Sequence, residues 1–179
     1  AYLISTATPT RAGYTFVGWA LTKTDADNGT WYYKAGSTCG ANSNLTLYAV
    51  WTSNSYTIPY NANGGSGAPS AQTKTYGVNL TLSSTVPTRA GYNFLGWATS
   101  ASATSANYSA GSSYTANSGA TLYAVWKADT YTVSYNANGG SGVPSAQNKT
   151  HGVSLTLSST KPTRAGYSFI GWATSSSAT

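Results

Sequence analysis

Pro87-Thr88-Arg89-Ala90-Gly91-Tyr92-Asn93-Phe94-Leu95-Gly96-Trp97-Ala98 reads as a turn feeding a strand. Proline, arginine, alanine and glycine make the turn, and the alternating Tyr92, Phe94 and Gly96 enter a core that Trp97 closes. The same stretch, with changes at only two positions per copy, occurs at Pro9 to Ala20 and at Pro162 to Ala173. The copies are offset by 78 residues (9 to 87) and 75 residues (87 to 162), so the chain is a tandem array and each unit is a small domain of about 75 residues. A unit of that size is near the lower limit for folding alone and needs a dense core or help from its neighbours.

Aromatic residues supply that core. The chain has 15 tyrosines, 6 tryptophans and 3 phenylalanines, and each large ring buries roughly 150–250 Å². There is no methionine and no glutamate; only 7% of residues are charged, and Ser, Thr, Asn and Gly dominate the rest. This composition favours strands and turns over helices. Nine Lys and Arg against three Asp give a formal charge of +6. Spread along an array, the charge keeps the chain soluble, and its sharper reading is attraction to anionic wall polymers. The basic residues are single and scattered, which excludes a nucleic-acid stripe. Apolar runs of about five residues, such as Leu122 to Trp126, fall far short of the roughly 20 a membrane span requires.

Three segments follow from the repeat: residues 1–55 hold the back part of one unit, 56–130 a complete unit, and 131–179 the front part of a third. Ala1 falls inside a unit, so the sequence is expected to be a window on a longer array. In the complete unit, Tyr56 to Tyr60 alternates as a strand in which Pro59 marks an edge or a bulge. Asn61 to Gly67 is a glycine loop. Val78, Leu80 and Leu82 alternate with polar neighbours as a half-buried strand. Leu122-Tyr123-Ala124-Val125-Trp126 is apolar on both faces and belongs at the centre of a sheet. Thr52 to Ser55 and Lys127 to Thr130 read as polar linkers. Residues 56–104 and 131–179 are identical at 39 of 49 positions, which marks a recent duplication.

Tyr131-Thr132-Val133-Ser134-Tyr135-Asn136-Ala137-Asn138-Gly139-Gly140, then the Pro-Thr-Arg-Ala-Gly-Tyr-x-Phe-x-Gly-Trp stretch, then Thr121-Leu122-Tyr123-Ala124-Val125-Trp126, resembles the Listeria-Bacteroides repeat, the family that includes the B repeat of internalins. The resemblance covers essentially the whole chain. It implies a mainly β fold of small β-grasp-like units in a bacterial secreted or wall-attached protein, acting as stalk or adhesive module. It also implies an extracellular location and brings no catalytic residues with it.

The residue inventory agrees with a non-enzyme. General acid–base work wants a positioned carboxylate pair or a histidine, but Asp25, Asp27 and Asp129 lie in one loop and one linker. His151, the single histidine, takes the place of Tyr76 in the neighbouring unit. Asp25, Asp27 and Asn28 supply too few oxygen ligands for calcium, so no metal and no cofactor is expected. Asn63 to Gly67 lacks the Gly-Lys-Ser/Thr of a phosphate loop. A Lys-Asn isopeptide bond needs a nearby acid, and the repeated core offers none. Cys39, the only cysteine, aligns with Tyr114 and reads as a packing residue.

Trp19, Trp97, Trp172, Trp51, Trp126, Tyr92 and Phe94 are read as structural core. Arg11, Arg89 and Arg164 at the turns, together with Trp31 in a loop three residues longer than its counterpart, are the candidate ligand contacts. Their partners would be cell-wall polysaccharide or a host surface protein, or else neighbouring repeats and copies of the chain itself. A glycan-binding module using exposed aromatics is the competing function. Subunits of an extracellular filament, with strands exchanged between chains, would pair Tyr131 to Tyr135 with Leu47 to Trp51 of another copy.

Overall fold

The computed structural model describes residues 1–177 and is mainly β, built of small sheets. Residues 1–53 form β1 (Tyr2–Leu3), β2 (Tyr14–Ala20), β3 (Thr38–Cys39) and β4 (Tyr48–Ser53), with a single short helix, α1 (Lys23–Asp27), in the longer loop. The following stretch forms β5 (Ser55–Ile58), β6 (Tyr60–Asn61), β7 (Gln72–Thr75), β8 (Leu80–Thr81), β9 (Tyr92–Ala98), β10 (Ser113–Tyr114) and β11 (Leu122–Ala128). Among the described residues, β12 (Thr130–Val133) and β13 (Gln147–Thr150) complete the strands.

In the middle unit β11 lies between β6, to which it is parallel, and β9, to which it is antiparallel. Apolar residues on both faces suit that central place. β5 forms an antiparallel hairpin with β7. Only Pro59 separates β5 from β6: it has no N–H to donate, while its carbonyl accepts from Leu122 N–H at 2.9 Å. The first strand thus pairs with β7 before the proline and with β11 after it.

The marker forms as its residues dictate. Arg89 carbonyl accepts from Tyr92 N–H at 3.1 Å, and Gly91 sits at φ +75, the position where a type II turn requires positive φ. β9 then pairs with β11 from Tyr92↔Ala128 to Ala98↔Tyr123, with an irregularity between Val125 and Trp126. Gly96 lies at that irregularity, and a Cβ there would meet Tyr108 carbonyl at 2.6 Å. The loop after Trp97 returns across the strand at this point: Trp97 N–H donates to Tyr108 carbonyl, and Asn107 and Tyr108 N–H donate to Trp97 carbonyl.

The core gathers Ile58, Leu82, Trp97, Tyr114, Leu122 and Ala124, with Tyr60, Phe94, Tyr108 and Trp126 packed around it. Trp97 is fully buried and meets Tyr60 and Phe94 edge-on at 4.8 and 5.1 Å, an arrangement the ring quadrupoles favour.

Three expectations differ in detail. The strand expected over Val78 to Leu82 shortens to Leu80–Thr81, because Gly77 and Val78 close a turn in which Val78 N–H donates to Thr75 carbonyl. The loop over Leu21 to Lys34 contains a helical turn, capped by Thr22 Oγ1 accepting from Asp25 N–H at 3.0 Å. The stretches read as polar linkers are largely strand: Thr52 and Ser53 end β4, Lys127 and Ala128 end β11, and single residues, Asn54 and Asp129, separate these from β5 and β12.

Candidate functional site

The residues singled out as ligand contacts are mostly engaged within the fold. Arg11, Arg89 and Arg164 each lie over the tyrosine three residues on, Tyr14, Tyr92 and Tyr167, at 3.9, 3.9 and 4.0 Å from the ring centroid. The turn places the guanidinium there, and the ring face attracts it. Arg164 also donates to Asn138 carbonyl at 3.2 Å. Trp31 is 39% exposed, with Lys34 Nζ 5.4 Å from its ring, and Tyr32 beside it is half exposed. This exposed pair belongs to the first unit alone, because the inserted loop carries it.

Trp97 lies in the core, whereas Trp19, Trp51, Trp126 and Trp172 are half-buried. Trp126 donates its Nε1–H to Ala62 carbonyl at 3.0 Å, which ties β11 to the glycine loop. That loop also clamps the marker turn: Ser66 and Thr88 exchange N–H···O bonds at 2.9 Å each. Tyr92 lies apart from the core cluster, under Arg89 and against His151.

Two shallow grooves mark the first unit, and the intact unit explains both. One, of about 540 Å³, is lined by Arg11, Phe16 and Trp51 among others. The equivalents of those three are Arg89, Phe94 and Trp126, where the loop Asn61 to Gly67 sits in the middle unit. The second, of about 440 Å³, is lined by Ile4, Cys39 and Asn42 among others. Their equivalents Leu82, Tyr114 and Asn117 carry the β5–β7 hairpin. In the middle unit both seats are filled by that unit's own front half.

Sequence reasoning missed one buried polar group. Lys74 is fully buried, and its Nζ donates to Thr75 carbonyl at 2.8 Å and to Asn117 Oδ1 at 3.0 Å. Gly77 N–H donates to the same Oδ1 at 2.9 Å. A second network joins Tyr60 hydroxyl, Gln72 Oε1 and Ser83 N–H, and its counterpart joins Tyr135, Gln147 and Ser158. Burial pushes the Tyr60 hydroxyl up from its ordinary pKa, against the hydrogen bond from Ser83 N–H.

The aspartates are held locally. Asp27 pairs with Lys23 at 2.5 Å, Asp25 accepts from Thr22 Oγ1 at 2.8 Å, and Asp129 accepts from Asn93 Nδ2. Among the described residues no group of three or more His, Cys, Asp or Glu is gathered, and no helix is long and apolar enough to cross a membrane. Cys39 is buried in β3, where its thiol replaces the Tyr114 ring.

The Listeria-Bacteroides repeat domain model matches residues 2–50, 56–125 and 131–179, and the chain belongs to this family. It is 33% identical over 166 residues, 92% of its length, to a protein of Evansella cellulosilytica named as a membrane protein. It is equally similar over 167 residues to one named as a Gly-rich membrane protein from the same organism. Over 89 residues, half of the chain, it is 39% identical to Internalin H of Listeria monocytogenes. The chain spans 23%, 18% and 15% of these three relatives. No solved structure matches it.

Proposed function

We propose that this Listeria-Bacteroides repeat chain is a non-catalytic spacer segment of a bacterial cell-surface or secreted protein, built from β-grasp-like units of about 75 residues. The strand order supports the β-grasp-like reading: the first strand runs parallel to the last, hairpins outward with the second, and the third flanks the last on its other side. Internalin and membrane-protein names among the relatives support a surface location.

One observation carries the spacer reading. The repeated residues with chemical potential are used for packing: Trp97 in the core, Trp126 on the glycine loop, and each turn arginine on its own tyrosine. A repeat whose tryptophans pack within the unit and whose arginines lie on their own tyrosines carries length and stiffness from copy to copy, and it leaves ligand binding to features that do not repeat.

A second reading, contact with cell-wall polysaccharide or a host surface protein, is favoured at one place. Trp31 and Tyr32 are exposed beside Lys34 on the loop peculiar to the first unit, and an exposed indole offers an apolar face to a sugar ring. A pull-down on purified wall polysaccharide separates the two. The spacer reading expects no retention of the parent chain. Retention that Trp31→Ala abolishes, in a chain whose melting is unchanged, would replace it with the binding reading.

A further inference from the structure

The places where one unit meets the next are built alike at both joints. Asn54 N–H donates to Gly13 carbonyl at 2.9 Å, and Asn54 carbonyl accepts from Tyr76 N–H at 2.8 Å. Asp129 does the same between Gly91 carbonyl and His151 N–H, at 2.9 and 2.8 Å. One residue is therefore the last rung of one unit's sheet and the first rung of the next. Its side chain is held too: Thr15 Oγ1 donates to Asn54 Oδ1 at 2.7 Å, and Asn93 Nδ2 donates to Asp129 Oδ1.

Above each rung the following unit lays a flat ring on the marker turn. A Cβ built on Gly13 would lie 2.2 Å from the Tyr76 ring, and one on Gly91 would lie 2.2 Å from the His151 ring. The rings meet the marker tyrosines edge-on, Tyr14 to Tyr76 at 5.6 Å and Tyr92 to His151 at 5.3 Å. Gly166, in the third copy of the turn, has the same left-handed φ of +78 and nothing within 4 Å of its Cβ position. Its neighbour Tyr167 is 67% exposed, where Tyr14 and Tyr92 are half-buried.

We infer that the marker turn of each unit is the docking surface for the unit that follows, locking the array into a stiff rod with a fixed unit-to-unit angle. The partner it fits is a planar side chain followed by glycine, as in Tyr76-Gly77 and His151-Gly152, delivered in cis by the next repeat. Turn geometry alone asks for glycine at position 91; the ring adds a second reason, because any side chain would occupy its seat. A tyrosine and a histidine serve alike at the two joints because the contact uses a flat face. This inference deepens the spacer reading but is tested on joint geometry alone, so it can fail while that reading stands.

The test places nitroxide labels at Ser105 and Ser145, on either side of the Asp129 joint, through Ser105→Cys and Ser145→Cys in a Cys39→Ser background. Pulsed dipolar spectroscopy then reads the distance distribution across the joint. The parent is expected to give one narrow distance. Gly91→Ala, which puts a methyl in the ring's seat, should widen it several-fold, while Gly166→Ala, with the same turn strain and no ring to displace, should leave it unchanged. His151→Ala should widen the distribution as well, and it gives the reading should Gly91→Ala unfold the unit. A parent distribution already as broad as that of the joint variants overturns the inference, as does equal broadening by Gly166→Ala.

Discussion

Trp97 shows how much of this protein rests on single residues. It is fully buried against Tyr60 and Phe94, so Trp97→Ala removes an indole and leaves a cavity, at a cost of about 3–5 kcal/mol. A small domain has only ~5–15 kcal/mol in all, so a denaturant melt should register the change as a large loss. Trp31→Ala, at an exposed site, should stay within about 0.5 kcal/mol. Lys74 argues in the other direction, because nothing in Gln72-Thr73-Lys74-Thr75 announces a buried ammonium. Its burial depends on Asn117, 43 residues on, which accepts from Lys74 and Gly77 together. Asn117→Ala strips both donors of that acceptor and should cost at least ~1–3 kcal/mol. Lys74→Met, which keeps the volume and removes the charge, should cost less in the same melt. Among the described residues no carboxylate is hydrogen-bonded to the pair to relay protons, so intact mass spectrometry should show the chain without loss of ammonia. Such a loss, mapped by fragmentation to a peptide joining Lys74 to Asn117, would mean an amide between them and would overturn the hydrogen-bonded pair.

At the scale of elements, the marker is a case of one sequence in two states. Tyr92–Ala98 is strand β9 and Tyr14–Ala20 is strand β2, whereas residues 167–173, with nearly the same side chains, form no strand. The sequence holds two Leu-Tyr-Ala-Val-Trp segments for three markers, and a strand exists where its ladder partner does. Ile170 is 96% exposed, yet Trp172 keeps Tyr135 and Phe169 at 4.7 and 4.9 Å, matching Trp97 with Tyr60 and Phe94. Hydrogen exchange on a chain of these 179 residues should therefore protect the ladder amides of β9 and leave residues 168–173 to exchange close to the free rate. Equal protection would show that the marker needs no partner. The same reasoning explains what could be read from sequence. The turn and the central place of Leu122–Trp126 are local consequences of side-chain type and were legible; Pro59 was read as an edge or a bulge, and the structure divides the strand there. The shortened strand at Leu80–Thr81 was not, because the turn at Gly77 and Val78 takes its first residues and its ladder partner, Ser113–Tyr114, lies more than thirty residues away. Nor was the helical turn at Lys23–Asp27, too short to show a period and stabilised by its Thr22 cap.

For the whole molecule, the repeat was legible from its markers, but the joints were not. Thr52 to Ser55 and Lys127 to Thr130 are polar and read as linkers, yet their polarity reflects the solvent side of strands that run nearly unbroken between units. What looked like tether is the spine of the array. The turn arginines lie on their own tyrosines and the grooves of the first unit match seats that are filled in the middle unit, while Trp31 stays exposed. Under the proposed spacer role the array is extended and grows by a fixed length per copy. The direct test inserts a second copy of residues 56–130 after Thr130 and compares both chains by small-angle X-ray scattering. A 75-residue unit is about 30 Å across by the compactness rule, so the maximum dimension should rise by about that amount with the cross-section unchanged. A longer chain that thickens instead, its maximum dimension unmoved, would contradict the account.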